Sequence, residues 1–152
     1  MQIISGSASK GGHYSPGIVS HGMLYISGCI EKMPQIIVLQ TETCDPLLRA
    51  AAQGLTEPAD ISPRPTIAEG IAIGKPMRGR EILEYVYQYG IRFIHAPEER
   101  ILDARNALAL RGIYCEHTTA ANYAAYLAYC EKYGPTHDCL ITMCGAGLKS
   151  DH

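Results

Sequence analysis

From residue 34 onward the chain alternates short apolar runs with stretches of helical periodicity, and this alternation limits its possible folds more than any other feature. Pro34-Gln35-Ile36-Ile37-Val38-Leu39-Gln40 is a continuous apolar run of strand length, as expected of a strand covered on both faces. Asp45 stands in the capping position before Pro46, and the helix it opens ends near Gly54. Thr66 is the expected cap of a short helix reaching Ile73. Between Glu81 and Tyr89, Ile82, Leu83 and Val86 recur at helical spacing, and Gly90 supplies the stop. Ile91-Arg92-Phe93-Ile94 predicts the next strand. Residues 97–111 open with Pro97, Glu98 and Glu99, which favour a helix start, and Gly112 closes that helix. Ile113-Tyr114-Cys115 predicts a third strand. Residues 118–133 predict a helix with Ala120, Tyr123, Ala124, Leu127 and Cys130 on one face. Asp138 to Met143 predicts a last strand, running into Gly145-Ala146-Gly147.

Strands separated by helices of this length require crossover connections and a parallel sheet. The predicted fold is therefore α/β: a three-layer unit with a short, mostly parallel sheet and flanking helices. In such sheets ligands bind at the C-terminal strand ends, which puts Glu42, His95, Glu116 and Cys144 on one rim. Before residue 30 the texture differs. A Gly/Ser-rich start leads into GIVSHGMLYISG, where apolar runs flank the turn signal His21-Gly22, the pattern of a β-hairpin. The chain thus divides into residues 1–30, a hairpin segment, and residues 31–152, an α/β domain.

At 152 residues, with 47% hydrophobic and 18% charged side chains, the chain has the composition of a globular domain with a core. A formal charge of −2 argues against a dedicated nucleic-acid surface. No apolar run approaches the roughly 20 residues of a membrane span. The N-terminus lacks the basic head and apolar stretch of a secretory signal, which points to a cytoplasmic protein. Cys29, Cys44, Cys115, Cys130, Cys139 and Cys144 contain no C-x-x-C pair, and the histidines show no ligand spacing. No metal site is predicted, and the thiols are expected to be buried and free. Alone, the MCGAGLKS ending is only a glycine-containing strand exit, too short of glycines for a dinucleotide site.

Four strings, taken together and in order, resemble a known family. PQIIVLQTETCDPLLRAAAQG, PTIAEGIAIGKPMRGREIL, GIYCEHTTAANYAAYLAY and CLITMCGAGLKS are similar to segments in the C-terminal part of fold-type II pyridoxal-phosphate (PLP) enzymes. That group includes threonine synthases, serine/threonine dehydratases and the tryptophan synthase β superfamily. The resemblance covers residues 31–150 and implies a PLP cofactor, a small amino-acid substrate and lyase chemistry. It places Cys144 against the pyridine nitrogen, where a neutral thiol leaves that nitrogen unprotonated. It places Gly145 where the ring lies close to the backbone, and Glu69 near the ring. From the residues alone, Glu69 reads equally as a first-turn acid favoured by the helix dipole, and Thr118 as a helix cap. His117 stands where relatives often carry proline and reads as a surface histidine or a rim ligand.

The family's Schiff-base lysine and Gly-rich phosphate loop lie upstream of the matching segment. Lys10, in SASKGG, is the lysine here whose neighbours look most like that lysine's; Lys32, Lys75 and Lys149 fall where the family does not use one. The stretch over about residues 12–28, containing HYSPGIVSHGMLYISG, resembles instead the opening of the reactive-intermediate deaminase (RidA/YjgF) family, in which Tyr14 and Gly28 match positions near the ligand cleft. The two resemblances meet within ISGCIEKMPQ, as a fusion, a truncated chain or a split subunit would. Three functions follow as expectations. The chain is a PLP-lyase fragment inactive by itself, an interaction module that forms homo-oligomers or joins a complementary PLP-enzyme half, or an enamine/imine deaminase. The hairpin is expected to extend the edge of the main sheet or to pair with another copy.

Overall fold

The computed structural model describes residues 34–149 and three short strands, β1 (Gln2–Ile4), β2 (Gly17–Ser20) and β3 (Met23–Tyr25). The chain separates into two compact units, Met1–Pro34 and Gln35–His152. In the first, β2 and β3 pair antiparallel with Ile18 opposite Tyr25 and Ser20 opposite Met23. They form the hairpin predicted from the sequence. A third strand was not predicted: β1 pairs antiparallel with β2, Gln2 opposite Val19. It completes a three-stranded sheet, order β1-β2-β3. Two-stranded hairpins are marginal in water, and β1 supplies the further ladder from the same chain.

The second unit is α/β. Its order is β4 (Ile37–Thr41), α1 (Pro46–Ala52), a 3-10 turn at Glu69–Ile71, α2 (Gly79–Tyr89) and β5 (Arg92–Ala96). A 3-10 turn at Glu98–Arg100, α3 (Ile101–Ala109), α4 (His117–Tyr133) and a last 3-10 turn at Gly147–Lys149 follow. β4 and β5 pair parallel, Val38 beside Phe93, Leu39 beside Ile94 and Gln40 beside His95. Because successive strand side chains point to opposite faces, this register sorts the core into two layers. Phe93 packs with Leu47 and Ala50 of α1 and Leu83 of α2. Leu39, Ile94 and Ala96 pack with Ile101, Ala104 and Leu108 of α3 and the alanines of α4. Helices therefore cover both faces of the sheet.

Gln40 belongs to the α1 side, and its Oε1 accepts hydrogen bonds from Leu47 N at 3.0 Å and Leu48 N at 2.8 Å. The strand thereby satisfies two of the orphan donors at the start of α1. Asp45 holds the capping position but makes no cap bond. Its carboxylate instead binds Arg49 Nε at 2.7 Å and His95 Nε2 at 3.0 Å. The buried stripe of α4 is Thr119, Ala120, Ala121, Ala124 and Ala125, with Leu127 and Cys130 only half-buried. Small side chains let this helix lie close to the sheet and to α3.

Two predicted strands are absent among the described residues. Residues 113–115 and 138–143 form no ladder; Cys115 makes only an isolated bridge, to Ala146, and 138–143 makes none. Asp138 has φ of 56°, outside the extended region, and Leu140 is 76% exposed, so the run buries too little to favour pairing. Thr66 caps no α-helix: only the 3-10 turn Glu69–Ile71 forms there. No described helix is long and apolar enough to cross a membrane.

Leu83 is fully buried between α2 and α1, whereas Met77 is fully exposed. In urea denaturation Leu83→Ala is expected to lose about 2–5 kcal/mol of stability and Met77→Ala less than about 0.5 kcal/mol. Equal losses would contradict this placement of the core.

Candidate functional site

The first turn of α4 gathers two distant segments of the chain. Glu116 precedes the helix in an extended conformation and makes no side-chain cap bond; its N–H donates to Gly145 O at 3.1 Å. Thr118 is not a cap either, because its hydroxyl accepts from Gly70 N at 3.2 Å. Thr119, fully buried, accepts from Gly145 N at 3.0 Å and lies 3.3 Å from Cys144 Sγ. Two consecutive threonines therefore hold the turn that begins with Glu69 on one side and the Cys144-Gly145 loop on the other. One helical turn later, Asn122 Nδ2 donates to Thr142 O at 2.7 Å.

Glycine at both positions permits this close approach. A Cβ at Gly70 would come within 2.7 Å of Thr118 Oγ1, and one at Gly145 would run into the Glu116 carboxylate. Close approach of side chains to backbone is a common reason for glycine at such a position. At Gly145 the room is needed by this chain's own glutamate.

Two further residues fix the corner, and sequence reasoning missed both in this role. Glu98 accepts from Thr66 Oγ1 at 2.6 Å and from Ile67 N at 2.7 Å, so its carboxylate clamps the loop that leads into Glu69. Arg105 of α3 donates from Nε to Cys115 O at 2.8 Å, and its guanidinium lies over the Tyr114 ring. Gly147 N donates to Tyr114 O at 3.1 Å. A Pro-Glu-Glu start was legible as a helix beginning, but the loop that Glu98 would clamp was not.

The predicted rim is divided. Glu116 meets Cys144-Gly145, but His95 lies on the opposite face of the sheet, with Phe93, and turns to Asp45. Glu42 contributes its carbonyl to Arg64 at 3.4 Å. His117 is half-buried and Glu69 exposed. Lys10, Tyr14 and Gly28 lie outside the described residues. No group of three or more His, Cys, Asp or Glu side chains is placed to hold a metal among the described residues.

The thiols differ sharply. Cys44 and Cys115 are buried and free, as expected, whereas Cys139 and Cys144, expected to flank a buried strand, are exposed because that strand does not form. Burial pushes the Cys44 thiol pKa up, with Asp45 adding to the rise. Burial does the same at Cys115, partly opposed by Arg105.

The unit is an α/β layer structure in which two glycine-containing loops meet at one helix start, and comparison with known proteins identifies its family. The family model described as pyridoxal-phosphate dependent enzyme matches residues 14–145. The chain belongs to that family. It is 33% identical over 127 residues to threonine synthase of Mycobacterium tuberculosis (strain ATCC 25618 / H37Rv), covering 80% of this chain and 32% of that protein. It is 27% identical over 129 residues to threonine synthase of Methanocaldococcus jannaschii, covering 82% and 31%. The solved threonine deaminase from T.th. shares the fold with a TM-score of 0.53 at 23% identity, over 64% of this chain and 31% of the other. Maize serine racemase shares it with a TM-score of 0.50 at 17% identity, over 67% and 29%. The chain spans about a third of the length of these curated relatives. The family match begins at residue 14 and so takes in most of the segment that resembles the deaminase opening.

Cys144 is exposed to solvent, and its Sγ lies 3.3 Å from the buried Thr119 hydroxyl.

Under native conditions an alkylating reagent is expected to modify Cys139 and Cys144 before Cys44 and Cys115, as read by peptide mass. Equal rates would contradict the burial pattern. The two buried thiols favour the protonated form when folded, so their stabilising contribution is intact below the unfolded thiol range, roughly pH 8.5. It is lost as pH rises through their higher folded values. Denaturation midpoints should fall on the alkaline side, and less steeply in a Cys44→Ala/Cys115→Ala chain.

Proposed function

We propose that residues 34–149 form the ring-side wall of a pyridoxal-phosphate site in a lyase of the threonine synthase and dehydratase kind, acting on a small amino acid. The observation that carries this is the convergence of the Glu69-Gly70 turn and the Cys144-Gly145 loop on Thr118 and Thr119, in a chain of that family. Pyridoxal phosphate, when bound, supplies an electron sink for bond breaking at an amino acid's α-carbon. In this reading Cys144 faces the pyridine nitrogen. Gly145 lets the Glu116 carboxylate lie against the loop beside Cys144, and Glu69 flanks the ring from its turn. Glu98, Thr118 and Thr119 hold these groups in place before any ligand arrives, which reduces the ordering required on binding.

The hydrogen bonds that build the corner involve no lysine. We assign the cofactor-bearing lysine and the phosphate cradle to a complementary half, so that residues 34–149 by themselves do not turn over substrate. Titration with pyridoxal phosphate, borohydride reduction and peptide mapping test this. The expected result is absorbance of the free cofactor and no single labelled lysine. Stoichiometric label on one lysine, Lys10 above all, would overturn the division between halves.

A second observation favours self-association or union with such a half. Leu110 is 89% exposed, and Leu140 and Leu148 are also largely open to solvent. The β4–β5 sheet has no third strand among the described residues. Open apolar surface and unpaired strand edges both promote association. Light scattering is expected to find a dimer or larger species, and a monodisperse monomer would contradict it.

A further inference from the structure

The hydroxyl of Thr119 has three neighbours, and their distances decide how its one proton is used. A threonine hydroxyl donates once and accepts twice. Gly145 N donates to it at 3.0 Å. The proton can then go to Cys144 Sγ at 3.3 Å or to Gly145 O at 3.4 Å. For an oxygen acceptor 3.4 Å is long, since O–H···O bonds centre near 2.7–2.8 Å. Gly145 O is also already served by Glu116 N at 3.1 Å. Sulfur is the larger acceptor, and 3.3 Å is a close approach to it.

We propose that Thr119 is the positioning residue of this site: it donates its proton to Cys144 Sγ, so that the thiol's own hydrogen points outward as a donor. The result is a directed chain, Gly145 N–H to Thr119 O–H to Cys144 S–H. A thiol held this way meets a ligand that accepts a hydrogen bond, such as an uncharged aromatic ring nitrogen. It disfavours one that arrives already protonated. The direction of the chain rests on the distances at Thr119, and its use toward a ring nitrogen rests on the function proposed above.

The opposite arrangement, with Cys144 donating to Thr119, makes the opposite prediction for thiol chemistry. A hydroxyl donating to sulfur stabilises the thiolate, whereas a hydroxyl accepting from it stabilises the thiol. The titratable groups around Cys144 are Glu116, whose carboxylate packs over Gly145, Cys115, and Arg105, bonded to Cys115 O. They are unchanged among Thr119 variants, so a comparison of variants isolates the hydroxyl.

Alkylation of Cys144, followed by peptide mass across pH in the full chain, tests the direction. Thr119→Val is expected to move the pH midpoint upward and slow the reaction near neutral pH by roughly two- to tenfold, the worth of one hydrogen bond. Thr119→Ser is expected to restore it. A downward shift or none in the valine variant, or no rescue by serine, would overturn the proposal. Should the valine variant not fold, the S–H stretching band of Cys144, taken by difference against Cys144→Ala, decides the matter. A band typical of a thiol open to solvent supports the proposal, and one typical of a thiol donating to the buried Thr119 hydroxyl overturns it. Protection of Cys144 by added pyridoxal phosphate is a separate readout. If protection fails while the alkylation shift is seen, the role of Thr119 stands and the cofactor reading falls.

Discussion

The parallel register of β4 and β5 is the constraint on which the rest of the α/β unit depends. With Gln40 beside His95 and Leu39 beside Ile94, alternate side chains are committed to opposite layers. One set meets α1 and α2, the other α3 and α4. A slip of one residue would exchange every one of these contacts. It would also remove Gln40 from the start of α1, where its side-chain oxygen takes two backbone N–H groups, and His95 from Asp45. Core packing and local polar satisfaction thus demand the same register.

The site follows from where that register puts α4. Its buried alanines allow the helix to lie low against the sheet, and its first turn then stands between the Glu69 turn and the Cys144 loop. Threonine at two successive positions suits the task, because adjacent helical residues point in different directions and can each reach a separate segment. Arg105, reaching from α3 to the 114–115 segment, braces the same corner from behind. Function in this fold is carried by loops, but the loops are held by helix hydroxyls, a carboxylate and a guanidinium whose partners are distant in sequence.

This explains what was legible beforehand. Apolar runs of strand length and the stops at Gly90 and Gly112 revealed β4, β5 and the helices between and after them, because those signals are local. The runs at 113–115 and 138–143 misled for the same reason. Nothing local to them records that Asp138 turns out of the extended region or that Leu140 has no layer to cover it. Asp45 was legible as the residue before a helix, yet the bond it would have made is taken by Gln40, placed there by strand pairing. Thr118 and Thr119 make their bonds to residues 48 and 26 positions away, so their roles emerge only in three dimensions. Glu69, Cys144 and Gly145 were singled out by family resemblance; the residues alone offered a helix acid and a strand exit.

The central claim is that the first turn of α4 and the two loops it holds form the cofactor's ring side. Backbone amide shift mapping with pyridoxine 5′-phosphate, which carries the ring without a reactive aldehyde, tests it most directly. The account predicts that perturbations concentrate on Gly70, Thr119, Cys144 and Gly145. Perturbations centred on Asp45 and His95, or spread among surface lysines and arginines with these four unmoved, would contradict it.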